Sequence, residues 1–113
     1  MTNVTRVSPL KTAHVNVISN PSSIGNTAVV AALPNARIRV LSAVLVAAAT
    51  NSVKFQSGTT DITGLFAFAA NGGLVLPFNE HGWFETAVGE ALNINLSAAT
   101  AVGAQIQYIV LGS

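Results

Sequence analysis

The chain concentrates its chemically capable side chains in one place, the nonapeptide PFNEHGWFE at residues 77–85. Glu80, His81, Trp83, Phe84 and Glu85 fall within six positions of a chain in which only 8% of residues are charged. Two carboxylates can act as general acid and base when a fold holds them at a fixed separation. Glu80 and Glu85 lie five residues apart in a loop, a spacing that defines no such distance. The other carboxylates are Asp61 and Glu90, and the two imidazoles are His14 and His81. A nucleophilic triad needs serine, histidine and acid at hydrogen-bond distance. Serine is too abundant here for any one combination to stand out. Three or four convergent zinc ligands are hard to find among two histidines, no cysteine and four acids. ANGGLV leads into more strand instead of opening a helix, so it is not a phosphate loop. Neither an enzyme nor a cofactor or metal site is expected.

The nonapeptide then reads as a surface device or a structural one. NEHG has the composition of a turn, with Gly82 free to take positive φ. Trp83 and Phe84 are adjacent, so in an extended segment their rings point to opposite faces. Phe78 continues the alternation Leu74, Leu76, Phe78 and is expected in the core. Aromatic rings with a few charges around them suit an interface hot spot, a sugar-stacking platform, or simple closure of one end of a barrel. The expected docking residues are Glu80, His81, Trp83 and Phe84, with Arg6 and Lys11 of the N-terminal arm.

The elements that must position these residues are strands. Alternation at two residues per repeat recurs in ARIRV, SVKFQ, ALNINLS and AQIQYIV, which is the pattern of strands with one buried face. Turn-forming clusters such as SNPSSIGN, LPNA, SGTTD, ANGG and AVGE separate the runs. Strands are predicted near 13–18, 27–33, 36–48, 52–56, 65–69, 73–78, 91–97 and 102–111. The fold class is all-β: an antiparallel β-sandwich or jelly-roll-like barrel of about eight short strands. One domain spans 13–113, preceded by an arm at 1–12. AVLVAAAT is rich in helix formers, but it continues an alternating strand; ETAVGEAL is interrupted by Gly89 and reads as a turn.

Composition sets the remaining bounds. Against the 8% of charged residues stand 50% hydrophobic ones, over 113 residues with a net charge of +1; soluble domains carry about 25% charge. The five basic residues are scattered, which argues against nucleic acid and acidic lipid as partners. The longest apolar run, VLSAVLVAAA at 40–49, is about half of the ~20 residues a membrane helix needs. No signal-peptide pattern precedes it. That run is apolar on both faces, whereas a two-layer sandwich buries only one face of each sheet. Leu41, Ala43 and Leu45 are assigned to the surplus face, to be covered by a loop of the same chain or by a neighbouring copy. Ile109 and Leu111 pose the same problem near the C-terminus. These five residues form the expected oligomer interface, and an uncovered face of this kind would be prone to aggregate.

Residues 68–111 contain the turn HGWFET, the strand GEALNINLSAA and the closing strand VGAQIQYIV, and RVLSAVLVAAATNSVKFQSG precedes them. Over residues 37–111 the chain resembles small structural proteins encoded in tailed-bacteriophage genomes. The resemblance implies a β-sandwich virion component without catalytic residues. One job it implies is that of a capsid decoration (cement) protein. Such a protein, usually a homotrimer, is made in the host cytoplasm and sits on the outer capsid surface, bridging copies of the major capsid protein. The other is a tail-fibre, spike or head-fibre module that binds a host receptor or glycan.

Overall fold

The computed structural model describes residues 14–112. The expected arm at 1–12, with Arg6 and Lys11, lies outside the described residues. Ten strands follow in chain order: β1 (Val15–Ser19), β2 (Gly25–Val30), β3 (Ala36–Ala47), β4 (Asn51–Ser57), β5 (Thr60–Asp61), β6 (Phe66–Phe68), β7 (Gly73–Leu76), β8 (Phe84–Glu85), β9 (Leu92–Leu96) and β10 (Val102–Gly112). No helix occurs among the described residues; AVLVA belongs to β3, and ETAVGEAL runs from β8 through a turn.

The strands form two antiparallel sheets. The first has the order β1-β10-β3-β7, with β8 also on β3; the second has the order β2-β9-β4-β5, with β6 also on β4. In each sheet one edge is therefore made of two short strands lying end to end. If each split edge is counted as one strand, eight remain. First then pairs with last, second with seventh, third with sixth and fourth with fifth. This is a long hairpin rolled over on itself, the jelly-roll connectivity. The core lies between the sheets. Ile38, Val40, Leu45, Val102 and Ile106 from the first meet Val53, Phe55, Leu92, Ile94 and Leu96 from the second, all fully buried.

The ladder between β3 and β10 carries one irregularity that decides which way β3 faces. Gln107 pairs with Ser42 and Tyr108 pairs with Val40, so Leu41 is an extra residue, a β-bulge. Inserting one residue reverses the inward set. Before the bulge Ile38 and Val40 point into the core; after it Ala43, Leu45 and Ala47 do.

The expected surplus face is corrected by this reversal. Leu45 is 0% exposed and Ala43 is a core residue. Leu41, at 1% exposed, lies outside the inter-sheet core but is covered by its own chain. Ile109 is also buried within the chain, and Leu111 is half-buried opposite Arg37. The surplus face of β3 does exist, but it carries Val44 and Val46, 45% and 48% exposed.

Candidate binding surfaces: the 77–85 loop and the outer face of the first sheet

The nonapeptide spans the gap between β7 and β8, which flank the bulge on the same edge of β3. The bulge supplies the acceptors that shape it. The Asn79 N–H donates to the Leu41 carbonyl at 3.0 Å and the Trp83 N–H to the Val40 carbonyl at 2.8 Å. Between these two anchors the chain makes a turn. The Gly82 N–H donates to the Asn79 carbonyl at 2.9 Å, and the His81 N–H donates to Asn79 Oδ1 at 2.9 Å. Gly82 has φ +84°, in the region that only glycine enters at little cost.

The two adjacent rings part company. Phe84 packs against the core, its ring 4.9 Å from that of Phe55. Trp83 stays 43% exposed, and its indole N–H donates to the Pro77 carbonyl at 2.8 Å. Phe78 departs from its expected core position. Pro77 ends β7, the alternation stops at Leu76, and Phe78 is exposed with its ring 5.8 Å from that of His14. His14 Nδ1 also lies 3.5 Å from Gln107 Nε2.

Beside Trp83 the ARIRV alternation places two guanidiniums on one carboxylate. Glu85 Oε1 accepts from Arg39 Nε at 2.8 Å and lies 2.7 Å from Arg39 Nη2. Glu85 Oε2 accepts from Arg37 Nη1 at 3.1 Å. Arg37 Nε is buried without a partner. Arg39, His81, Gly82, Trp83, Phe84 and Glu85 line a shallow hollow of about 210 Å³. Glu80 is exposed on the turn and is not part of that lining. Of the residues expected to dock a partner, His81, Trp83 and Phe84 line this hollow, together with Arg39 and Glu85, and Arg37 joins them through Glu85. Arg37 and Arg39 lie 46 to 48 residues from Glu85 in sequence, so only the shared face of ARIRV hinted at the grouping.

Other constellations do not assemble. Glu90 meets Ser57, whose hydroxyl donates to Oε1 at 2.5 Å, while the Ala87 N–H donates to Ser57 Oγ at 2.8 Å. The imidazoles lie elsewhere, His14 against Phe78 and His81 on the turn. Among the described residues no three His, Asp or Glu side chains converge as a metal site.

The outer faces of the two sheets differ in kind. On the second, Asn95 donates to Asn26 Oδ1 at 2.7 Å, and Asn93 donates to the Gly58 carbonyl at 2.7 Å. Lys54 and Gln56 both donate to Asp61. This face is a hydrogen-bonded polar ladder. On the first sheet the register lines up Ile18, Gln105, Val44 and Val75 across all four strands. Ile18 and Val75 are 72% and 65% exposed. Val46 stands one step along, flanked by Gly103 and Gly73. Beyond the bulge this face carries no charge, and sequence reasoning missed it because it placed the wrong residues of β3 outward. No protein-family model and no curated protein matches the chain.

Proposed function

We propose that this protein is a virion structural subunit, a bacteriophage capsid decoration protein that binds the outer surface of the assembled head and holds neighbouring capsid subunits together. The observation that carries this reading is the contrast between the two sheets. A face on which Ile18, Val44, Val46 and Val75 surround the uncharged Gln105 is the kind of largely apolar surface that marks a protein contact. The opposite face pairs polar side chains with one another and with backbone. The resemblance of residues 37–111 to phage structural proteins supplies the identity of the partner, the major capsid protein. It also supplies the trimeric state, with copies covering this face for one another.

The mechanism needs no bond chemistry. A protein that binds the assembled shell and not its separated parts stabilises assembly by mass action. Bridging several subunits adds avidity, because later contacts form at high effective concentration. The test is co-sedimentation of purified protein with empty heads. Saturable uptake and a higher rupture temperature support the reading. Protein that ignores heads but is retained on host cells overturns it in favour of a fibre or spike module, the reading that the exposed Trp83 ring favours.

A further inference from the structure

We infer that the hollow beside Trp83 is a saccharide-binding subsite that receives one pyranose ring. Its size, polarity and charge each narrow the ligand. At about 210 Å³ it falls below the ~300–1,000 Å³ of pockets that enclose drug-sized ligands, which leaves room for a single six-membered ring. The indole that borders it is held in place before any ligand arrives. Its side-chain N–H is engaged by the Pro77 carbonyl and its backbone N–H by the Val40 carbonyl, both at 2.8 Å. A held aromatic ring loses little conformational entropy on binding, and the C–H face of a pyranose is its natural partner.

The rest of the wall offers donors and acceptors together. The Arg39 and Glu85 side chains are 32% and 30% exposed, so the guanidinium can donate to one hydroxyl and the carboxylate can accept from its neighbour. His81 lines the same hollow and can do either. A simple anion is a poor fit. Arg37 and Arg39 are both already engaged by the Glu85 carboxylate, and an incoming phosphate would meet that carboxylate in the wall. A purely apolar ligand would strand the polar wall. A polyhydroxylated ring satisfies both parts. This inference stands apart from the cement reading, since the hollow lies across the Leu41 bulge from the uncharged row and its binding is measured without heads.

Trp83 is the only tryptophan in the chain, so indole emission reports on this site alone. The full chain is titrated with methyl glycosides of glucose, galactose, mannose and N-acetylglucosamine, with methyl glucuronide and with acetate. A saturable emission change with at least one neutral glycoside, at a dissociation constant on the order of 1 mM, is the expected result. In Arg39→Lys, which keeps the charge and loses the planar fork, binding should weaken about tenfold or more. In Trp83→Ala, followed by amide shifts at residues 81–85, it should vanish. No saturable change with any glycoside overturns the proposal. So does a response to glucuronide matched by acetate alone, which would mark a docking point for an acidic side chain of a protein partner. Unchanged binding in Arg39→Lys overturns it as well, whether or not Trp83→Ala folds.

Discussion

Gly82 lies against the aliphatic stem of Arg39 so closely that a Cβ built on it would stand 2.5 Å from Arg39 Cγ and 2.6 Å from Cδ. The turn, the bulge and the ion-pair cluster are thus one packed unit. A methyl group at 82 must both adopt φ +84° and displace that stem. Gly82→Ala is expected to lower stability by about 1–3 kcal/mol, read from urea denaturation. Gly89 provides the control, because it has φ +79° but open space around it. Gly89→Ala should cost less. Equal losses at the two sites would show that Arg39 moves aside freely and that the packing contributes nothing.

Val44 and Leu45 are neighbours with opposite fates, and a charge at each separates folding from assembly. Val44→Glu places a carboxylate on the exposed row of the first sheet. The variant should keep its melting temperature and show a lower mass by light scattering than the unaltered protein. Leu45→Glu places the same group in the core, where an unpaired charge costs several kcal/mol. It should be unfolded by circular dichroism. An unaltered protein that is already monomeric at high concentration would remove the basis for self-association through this face.

The same pair shows how far the sequence could be read. Period-two alternation in SVKFQ, ALNINLS and AQIQYIV located β4, β9 and β10, because over the whole of β9 and the first part of β4 and of β10 buried residues alternate with less buried ones. The run VLSAVLVA in β3 has no polar residue to report its facing except Ser42, and Ser42 sits at the bulge. Its inward set is switched by the Leu41 bulge, which shows only in the pairing with β10 and in the Asn79 and Trp83 amides that bond to the Leu41 and Val40 carbonyls. A local pattern cannot carry that choice. The candidate hollow was half legible for a similar reason. The aromatic cluster and the one-sided placement of Arg37 and Arg39 are local features, whereas the pairing of those arginines with Glu85 depends on β8 docking against β3. Phe78 misled because alternation was extended through Pro77, where a strand loses its donor.

Asn51 is a buried side chain whose amide closes the turn between β9 and β10. Its Nδ2 donates to the Ala98 and Thr100 carbonyls, both at 3.1 Å, and to Thr100 Oγ1 at 2.9 Å. Its Oδ1 accepts from the Ala98 N–H at 3.0 Å. Asn51→Ala removes all of these bonds at once from half-buried turn groups and should destabilise by about 1–3 kcal/mol. Asn51→Asp should be worse than its small change in shape suggests, because the carboxylate cannot donate to the two carbonyls. Chemical denaturation of both variants checks this, and a loss under 1 kcal/mol for either would mean that water replaces the amide.

Asp61 gives the polar sheet a pH signature. Its carboxyl is held below the ordinary value of 3.8, first by the hydrogen bond from Gln56 and then by the hydrogen bond and charge of Lys54. The Gln56 Nε2–Oδ1 distance is 2.6 Å and the Lys54 Nζ–Oδ2 distance is 3.1 Å. A depressed folded-state pKa adds stability that is fully present above the unfolded value and is lost as pH falls through the folded one. Relative to Asp61→Asn, the unaltered protein should therefore lose its advantage only below about pH 4, and the two should converge in stronger acid. A carbon-detected NMR titration of the Asp61 carboxyl checks the cause. Gln56→Leu should bring its pKa back toward the ordinary value by a larger step than Lys54→Met does. The reverse order would make the lysine the dominant partner and the amide a bystander.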